Sequence, residues 1–108
     1  MFIDGKWVTS TSGETIDIVS PSTEEVIARV QNGTVEEAEQ ALKAAEKAQK
    51  SWKKLPARSR AELLYKLADE IKANAEFLAE LLVKEQGKLL KVARMEVAVT
   101  ASFIEYAC

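Results

Sequence analysis

The sequence holds one thiol, Cys108, and no histidine. Histidine is the commonest general base and metal ligand, so both roles go with it. With no histidine to activate it and an apolar helix around it, which disfavours the thiolate, Cys108 is expected to be an ordinary packed side chain rather than a nucleophile. Five carboxylates, Glu36, Glu37, Glu39, Glu46 and Glu62, could suggest acid–base work. Such work needs a cleft or burial to shift a pKa, whereas their spacing sets them beside lysines or in helix caps. Lys43, Lys47, Lys50, Lys53 and Lys54 resemble a phosphate patch, but counted with Glu39 and Glu46 they form a mixed, solvated helix face with a basic C-terminal end. Trp7 and Trp52 are expected to seal core edges. Gly5, Gly13, Gly33 and Gly87 make no GxGxxG turn, so there is no dinucleotide fingerprint. The residue types therefore predict no catalytic and no cofactor-binding group within the chain.

The elements that would position these residues fall into two halves. Residues 1–33 are β-rich. Phe2-Ile3 and Lys6-Trp7-Val8 flank Asp4-Gly5, a pair that tolerates the positive φ of a type I′ hairpin turn. Thr9 to Glu14 is a polar loop. Thr15–Val19 and Val26–Val30 form two further strands around a Ser20-Pro21 turn, since proline cannot donate to a ladder. Residues 34–108 are helical. Thr34 and Glu37 form a capping box at the first helix start. Val35, Ala38, Leu42, Ala45, Gln49 and Trp52 make its apolar stripe, and Glu39–Lys43 and Glu46–Lys50 pair at i,i+4. Leu55-Pro56 ends this helix, and Ser59 with Glu62 offers a cap for the next. Leu64, Leu67, Ala68, Ile71, Ala75, Leu78 and Leu82 share one face of a second helix, which should bury against its neighbours. Gly87 closes that helix, and Lys88 opens a third. In the third helix Leu89, Ala93, Val97, Thr100, Phe103 and Ala107 align, and its residues after Met95 are apolar nearly all round, so it should be buried. The expected class is α+β: a small antiparallel β layer on three α-helices, a single segment over 1–108. The absence of a cap, glycine or polar tail at Cys108 suggests the front part of a longer protein.

Length and charge limit the partners. A chain of 108 residues suits one domain, and 47% apolar residues with a net charge of −2 is an ordinary globular balance. Fifteen basic against seventeen acidic side chains leave no excess to displace counterions from nucleic acid. No apolar run approaches the roughly eighteen residues of a membrane span, and the start lacks a secretory signal. One cysteine makes no intramolecular disulfide, which fits the cytoplasm.

In order along the chain, FIDGKWV, TIDIVSPSTEEVIARV, VEEAEQALKAAEKAQKSWKKLPARSRAELLYKLADEI, EQGK and EV…A…IEYA resemble the N-terminal region of the NAD(P)-dependent aldehyde dehydrogenase superfamily. FIDGKWV with EVAVTASFIEYA looks most like its lactaldehyde/glycolaldehyde dehydrogenase branch. Ser20 stands where the family usually has asparagine, and Leu89 where proline is common. The resemblance implies an enzyme several times longer that oxidises aldehydes to carboxylates by covalent cysteine catalysis, with hydride passing to NAD or NADP. The implied cysteine, glutamate, asparagine and cofactor turn all lie downstream, so this chain alone should bind no nucleotide and turn over no substrate. The resemblance also implies that the segment packs onto a Rossmann-like cofactor domain. It further implies a monovalent cation (sodium or potassium) held by the backbone carbonyls of Ile18 and Val19 and by the Glu96 carboxylate. The competing reading of Glu96 is a cap or a pair with a lysine or arginine, because buried charges must be paired or metal-bound. The expected partners are the rest of the dehydrogenase polypeptide and further copies of the chain. The alternative function is a free-standing interaction or oligomerisation module, with self-association through the apolar end from Met95 to Cys108.

Overall fold

The computed structural model describes every residue from Met1 to Cys108. Its elements are β1 (Phe2–Ile3), β2 (Lys6–Trp7), β3 (Thr15–Val19), β4 (Val26–Gln31), α1 (Val35–Trp52), α2 (Ala57–Ala73), α3 (Ala75–Gln86) and α4 (Leu90–Tyr106). The two strand pairs are small and antiparallel, β1 with β2 and β3 with β4, and the class is α+β as expected. The chain divides into two compact units: Met1–Ile18 with Ala28–Leu55, and Val19–Ile27 with Pro56–Cys108.

In the first unit Phe2 pairs with Trp7 and Ile3 with Lys6. Asp4 and Gly5 take φ of 50° and 76°, the doubly positive geometry that matches the twist of a two-residue hairpin. The Phe2 and Trp7 rings meet edge to face at 5.3 Å. Helix α1 lines an open groove of ≈ 290 Å³ with Ala41, Ala44, Ala45 and Ala48, facing Phe2, Ile3, Asp4 and Gly5. The expected stripe is therefore rotated. Val35 and Leu42 are 73% and 72% exposed, because β1 is thin and approaches the smallest side chains of the helix. The Arg29 guanidinium on β4 donates to Asp17 on β3 at 2.8 Å, a cross-strand pair on the exposed face.

The second unit contains the buried apolar residues: Ala68, Ala79, Ala93, Val97 and Ala101. Helix α4 packs against both α2 and α3. Ala79, Ala93 and Val97 form the centre, with Ile71, Ala75, Leu78, Leu82, Val83 and Leu90 around them. Alanine at the contacts lets helix backbones approach closely, so a core forms without any large side chain being fully buried.

Three further expectations change. The second helix is two, so the helices number four. At Asn74 (φ −105°, ψ 17°) the side-chain amide donates to the Glu70 carbonyl at 2.8 Å, offering the backbone a local alternative to helix. Ser59 and Glu62 make no cap: α2 starts at Ala57 with Pro56 at its cap position, and the Arg58 Nε donates to Glu62 at 3.2 Å instead. Nor is α4 buried all round. Ala93, Val97 and Ala101 are covered, while Met95, Phe103 and Tyr106 are 59%, 69% and 91% exposed, since α2 and α3 reach only one side.

Gly87 ends α3 at φ 66°, a left-handed position. A Cβ there would also sit 3.2 Å from the Pro21 Cβ, so both conformation and space require glycine.

Candidate functional site

The densest polar cluster lies in the first unit, at the start of α1. Thr34 caps the helix: its hydroxyl accepts from the Glu37 N–H at 3.3 Å, and its own N–H donates to Glu37 Oε2 at 2.8 Å. This is the expected capping box. Glu37 does more than cap, however. Its Oε1 accepts from the Thr11 N–H at 2.7 Å and the Thr11 hydroxyl at 3.2 Å. The single Ser10 hydroxyl proton lies within reach of Glu37 Oε2 at 2.9 Å and the Asn32 carbonyl at 3.0 Å. The Ser10 N–H donates to Gln31 Oε1 at 2.9 Å, and the Asn32 side chain donates to Glu14 at 3.0 Å.

Ser10 and Glu37 are each 5% exposed, yet no buried side-chain polar atom lacks a partner. The Thr34 amide, followed by the Thr11 amide and the two hydroxyls, holds the Glu37 carboxyl down to about 2, against a usual value near 4.5. Such a group is a poor general base, which works best with a pKa near the operating pH. Its oxygens are filled by donors, so the cluster is built to hold chain segments together. Sequence spacing did not reveal Ser10 and Thr11 as its partners. The only hint is the hydroxyl run Thr9–Ser12, and nothing local ties it to a glutamate 26 residues on.

The other candidates are dispersed. Cys108 is exposed rather than packed, past the end of α4, with its thiol near the Ile104 carbonyl at 3.2 Å. Glu39 and Glu46 pair with Lys43 and Lys50 at 3.5 and 3.8 Å as their spacing predicts. Trp7 is 83% exposed and Trp52 37%, so only the latter approaches the role of an edge seal. Ile18 and Val19 end β3. Glu96 on α4 accepts from the Lys88 Nζ at 2.6 Å, the paired state. Arg94 grips Glu76 through two nitrogens, at 2.9 and 2.5 Å, tying α4 to α3. That fork lowers the Glu76 carboxyl and raises the Arg94 guanidinium. Lys72 on α2 pairs with Glu105 on α4, and this bond raises the ammonium above its usual value. No helix is long and apolar enough to cross a membrane.

The Aldehyde dehydrogenase family model matches residues 7–108, and the chain belongs to that family. It is 56% identical over 108 residues to the 3,6-anhydro-alpha-L-galactose dehydrogenase of Vibrio sp. (strain EJY3), covering 100% of this chain and 22% of that protein. To the lactaldehyde dehydrogenase of Escherichia coli (strain K12) it is 44% identical over 106 residues, covering 98% and 22%. The solved structure of 3,6-anhydro-L-galactose dehydrogenase in complex with NAP superposes with a TM-score of 0.97 at 54% identity, over 100% of this chain and 23% of that one. The lactaldehyde dehydrogenase crystal structure from Escherichia coli gives 0.94 at 44% identity, over 98% and 22%. The matched parts are the N-terminal regions of those enzymes, and the chain spans 22% of the length of these curated relatives.

Proposed function

We propose that this chain is the opening scaffold of an NAD(P)-dependent aldehyde dehydrogenase, an enzyme that oxidises aldehydes to carboxylic acids, and that it contributes no reacting group to that chemistry. The observation that carries this reading is the superposition at a TM-score of 0.97 on 23% of a dehydrogenase, by a chain whose buried carboxylate is saturated with donors. The residues do not fit a dinucleotide. The α1 N-terminus, the end that would attract a phosphate, already holds the Glu37 carboxylate. Helices α2 and α4 start on Pro56 and Leu89 without a side-chain cap, and the single Gly87 before α4 packs against Pro21 rather than opening a phosphate loop. When bound in the complete enzyme, the cofactor supplies the hydride acceptor. What these residues supply is packing: an alanine-cored helical layer and a hydrogen-bonded hairpin unit.

The test is complementation. This chain is mixed with a separately produced polypeptide covering the remainder of a family enzyme, and reduction of NAD or NADP is followed with lactaldehyde or 3,6-anhydro-L-galactose. Activity only in the mixture supports the scaffold reading. Turnover by the 108 residues alone would refute it.

The cation assignment to the Ile18 and Val19 carbonyls and the Glu96 carboxylate belongs to this proposal for the complete enzyme. Its oxygen donors suit a hard cation. Lys88 already neutralises Glu96, so sodium or potassium would have to displace that ammonium. A cation-specific rise in melting temperature at constant ionic strength, lost in Glu96→Gln, would support the assignment. Equal melting in sodium, potassium and a bulky organic cation would count against it. A cytoplasmic location is likewise proposed, from the lone cysteine.

The exposed stripe of Met95, Val99, Phe103 and Tyr106 favours a second reading, a module that associates with copies of itself. Size-exclusion chromatography separates the two. A dimer dispersed by Phe103→Ser supports association, and a monomer at high concentration removes it.

A further inference from the structure

The first unit has an unusual interior. Its buried residues are Ser10 and Glu37, both polar, and it has no buried apolar side chain. The Ser10–Thr11 loop and the start of α1 both donate to a single carboxylate, and the end of β4 joins them through Ser10. We propose that Glu37 is an acid-operated latch: on taking up one proton it releases the Ser10–Thr11 loop from the start of α1, and the first unit loosens while the helical unit keeps its core.

Hydrogen-bond capacity decides what the proton does. An ionised carboxylate only accepts, and its two oxygens serve about four donor directions. Here two of the donors are backbone N–H groups, Thr11 on Oε1 and Thr34 on Oε2, and an amide nitrogen cannot accept in return. A proton on either oxygen removes the charge that strengthens both bonds and takes up one of the directions a donor had used. The Ser10 and Thr11 hydroxyls, one on each oxygen, can turn from donor to acceptor, and Ser10 can then donate to the Asn32 carbonyl. The neutral form therefore keeps the two backbone donors only on uncharged hydrogen bonds, which are roughly half as strong as charge-assisted ones.

Charged neighbours do not complicate this switch. Ser10, Thr11 and Ser12 on the loop, and Asn32, Gly33 and Thr34 before the helix, carry no charge. Glu14 is turned to the Asn32 amide, the Met1 ammonium donates to the Val8 carbonyl at 2.8 Å, and Glu36 is the exposed helix neighbour. The causes that depress Glu37 are hydrogen bonds alone, so the window lies below about 4.5 and extends toward about 2.

The experiment is an NMR pH titration of the full 108-residue chain and of Glu37→Gln, with Glu36→Gln as control. In the parent the Thr11 and Thr34 amide resonances should move together with one midpoint well below 4.5. Their exchange should quicken there while Ala79, Ala93 and Val97 stay protected. Glu37→Gln should abolish that titration and, at neutral pH, speed exchange at Thr11 or Thr34 by about tenfold or more, the scale of one charge-assisted hydrogen bond. Glu36→Gln should leave both amides unchanged. The latch is wrong if the two amides titrate separately, if both units lose protection in one acid transition, or if Glu37→Gln exchanges like the parent. Global unfolding of Glu37→Gln would equally overturn it, because the release would then not be local.

Discussion

The two units solve the same problem with different forces. The second buries alanine and valine between helices, with Ser20 its one buried polar residue, and its ion pairs lie on the outside. The first buries a serine and a glutamate, and leaves Val35, Leu42 and Trp7 largely in solvent. Apolar burial is non-directional and follows area, so α4 can be held by several interchangeable contacts. A buried carboxylate is directional, and every lone pair must be matched. The first unit should therefore fail at one residue, whereas the second should fail by volume.

Overpacking tests the volume side and should have the largest effect. Ala93→Leu adds a bulky side chain at a fully buried helix contact, and a loss of about 3 kcal/mol is expected by chemical denaturation. A smaller loss, with α4 amides still protected, would mean that the core is looser than its packing implies.

Acid and salt together test the other side. Glu37 is lower in the folded chain than unfolded, so its stabilisation is complete above about 4.5 and lost as pH falls toward about 2. Its partners are neutral, and added salt should barely alter that profile. The second unit also has a depressed carboxyl, Glu76, but its partner is the exposed Arg94 charge, which salt screens. Lys72 is raised, so its contribution is complete below its unfolded value near 10.5 and lost as pH climbs through its folded value. Circular dichroism across pH at low and high salt should find the first unit salt-insensitive and the second salt-sensitive. The reverse would break the comparison.

Backbone changes come next. Gly87→Ala meets both a left-handed φ and the Pro21 ring, and should cost roughly 1–2 kcal/mol in thermal unfolding. Thr34→Ala removes the hydroxyl cap but leaves the Glu37 contacts to Thr11, with an expected loss of about 1 kcal/mol. The smallest effect is a gain. Leu89 sits at φ −64°, the value proline enforces, and is 74% exposed, so Leu89→Pro should stabilise by about 0.5 kcal/mol. A destabilised Leu89→Pro would show that its N–H or Lys88 is constrained.

Much of the fold was legible because its signals are local. Asp4-Gly5, the Thr34–Glu37 box and Gly87 specify backbone angles or bonds within a few residues, and each appears as expected. The family motifs were legible for the same reason: they are contiguous strings. The break at Asn74 is local too, but its side chain could equally have pointed to solvent in an unbroken helix. Which face of α1 or α4 is covered was not legible. Both helices carry apolar residues on more than one side, and periodicity alone cannot say how many neighbours arrive.

The amino-acid order by itself determined the strand pairs, the start of α1, the end of α3, the i,i+4 ion pairs and membership of the aldehyde dehydrogenase family. Tertiary structure alone decided that Glu37 gathers Ser10 and Thr11, that Lys88 takes Glu96, and that the alanines of α4 rather than its phenylalanine are buried. Turns, caps and i,i+4 pairs are bonds between near neighbours, which a linear code can specify. Burial and long-range hydrogen bonding depend on which surfaces meet in three dimensions, and the same polar loop could have faced water had the helix start lain elsewhere.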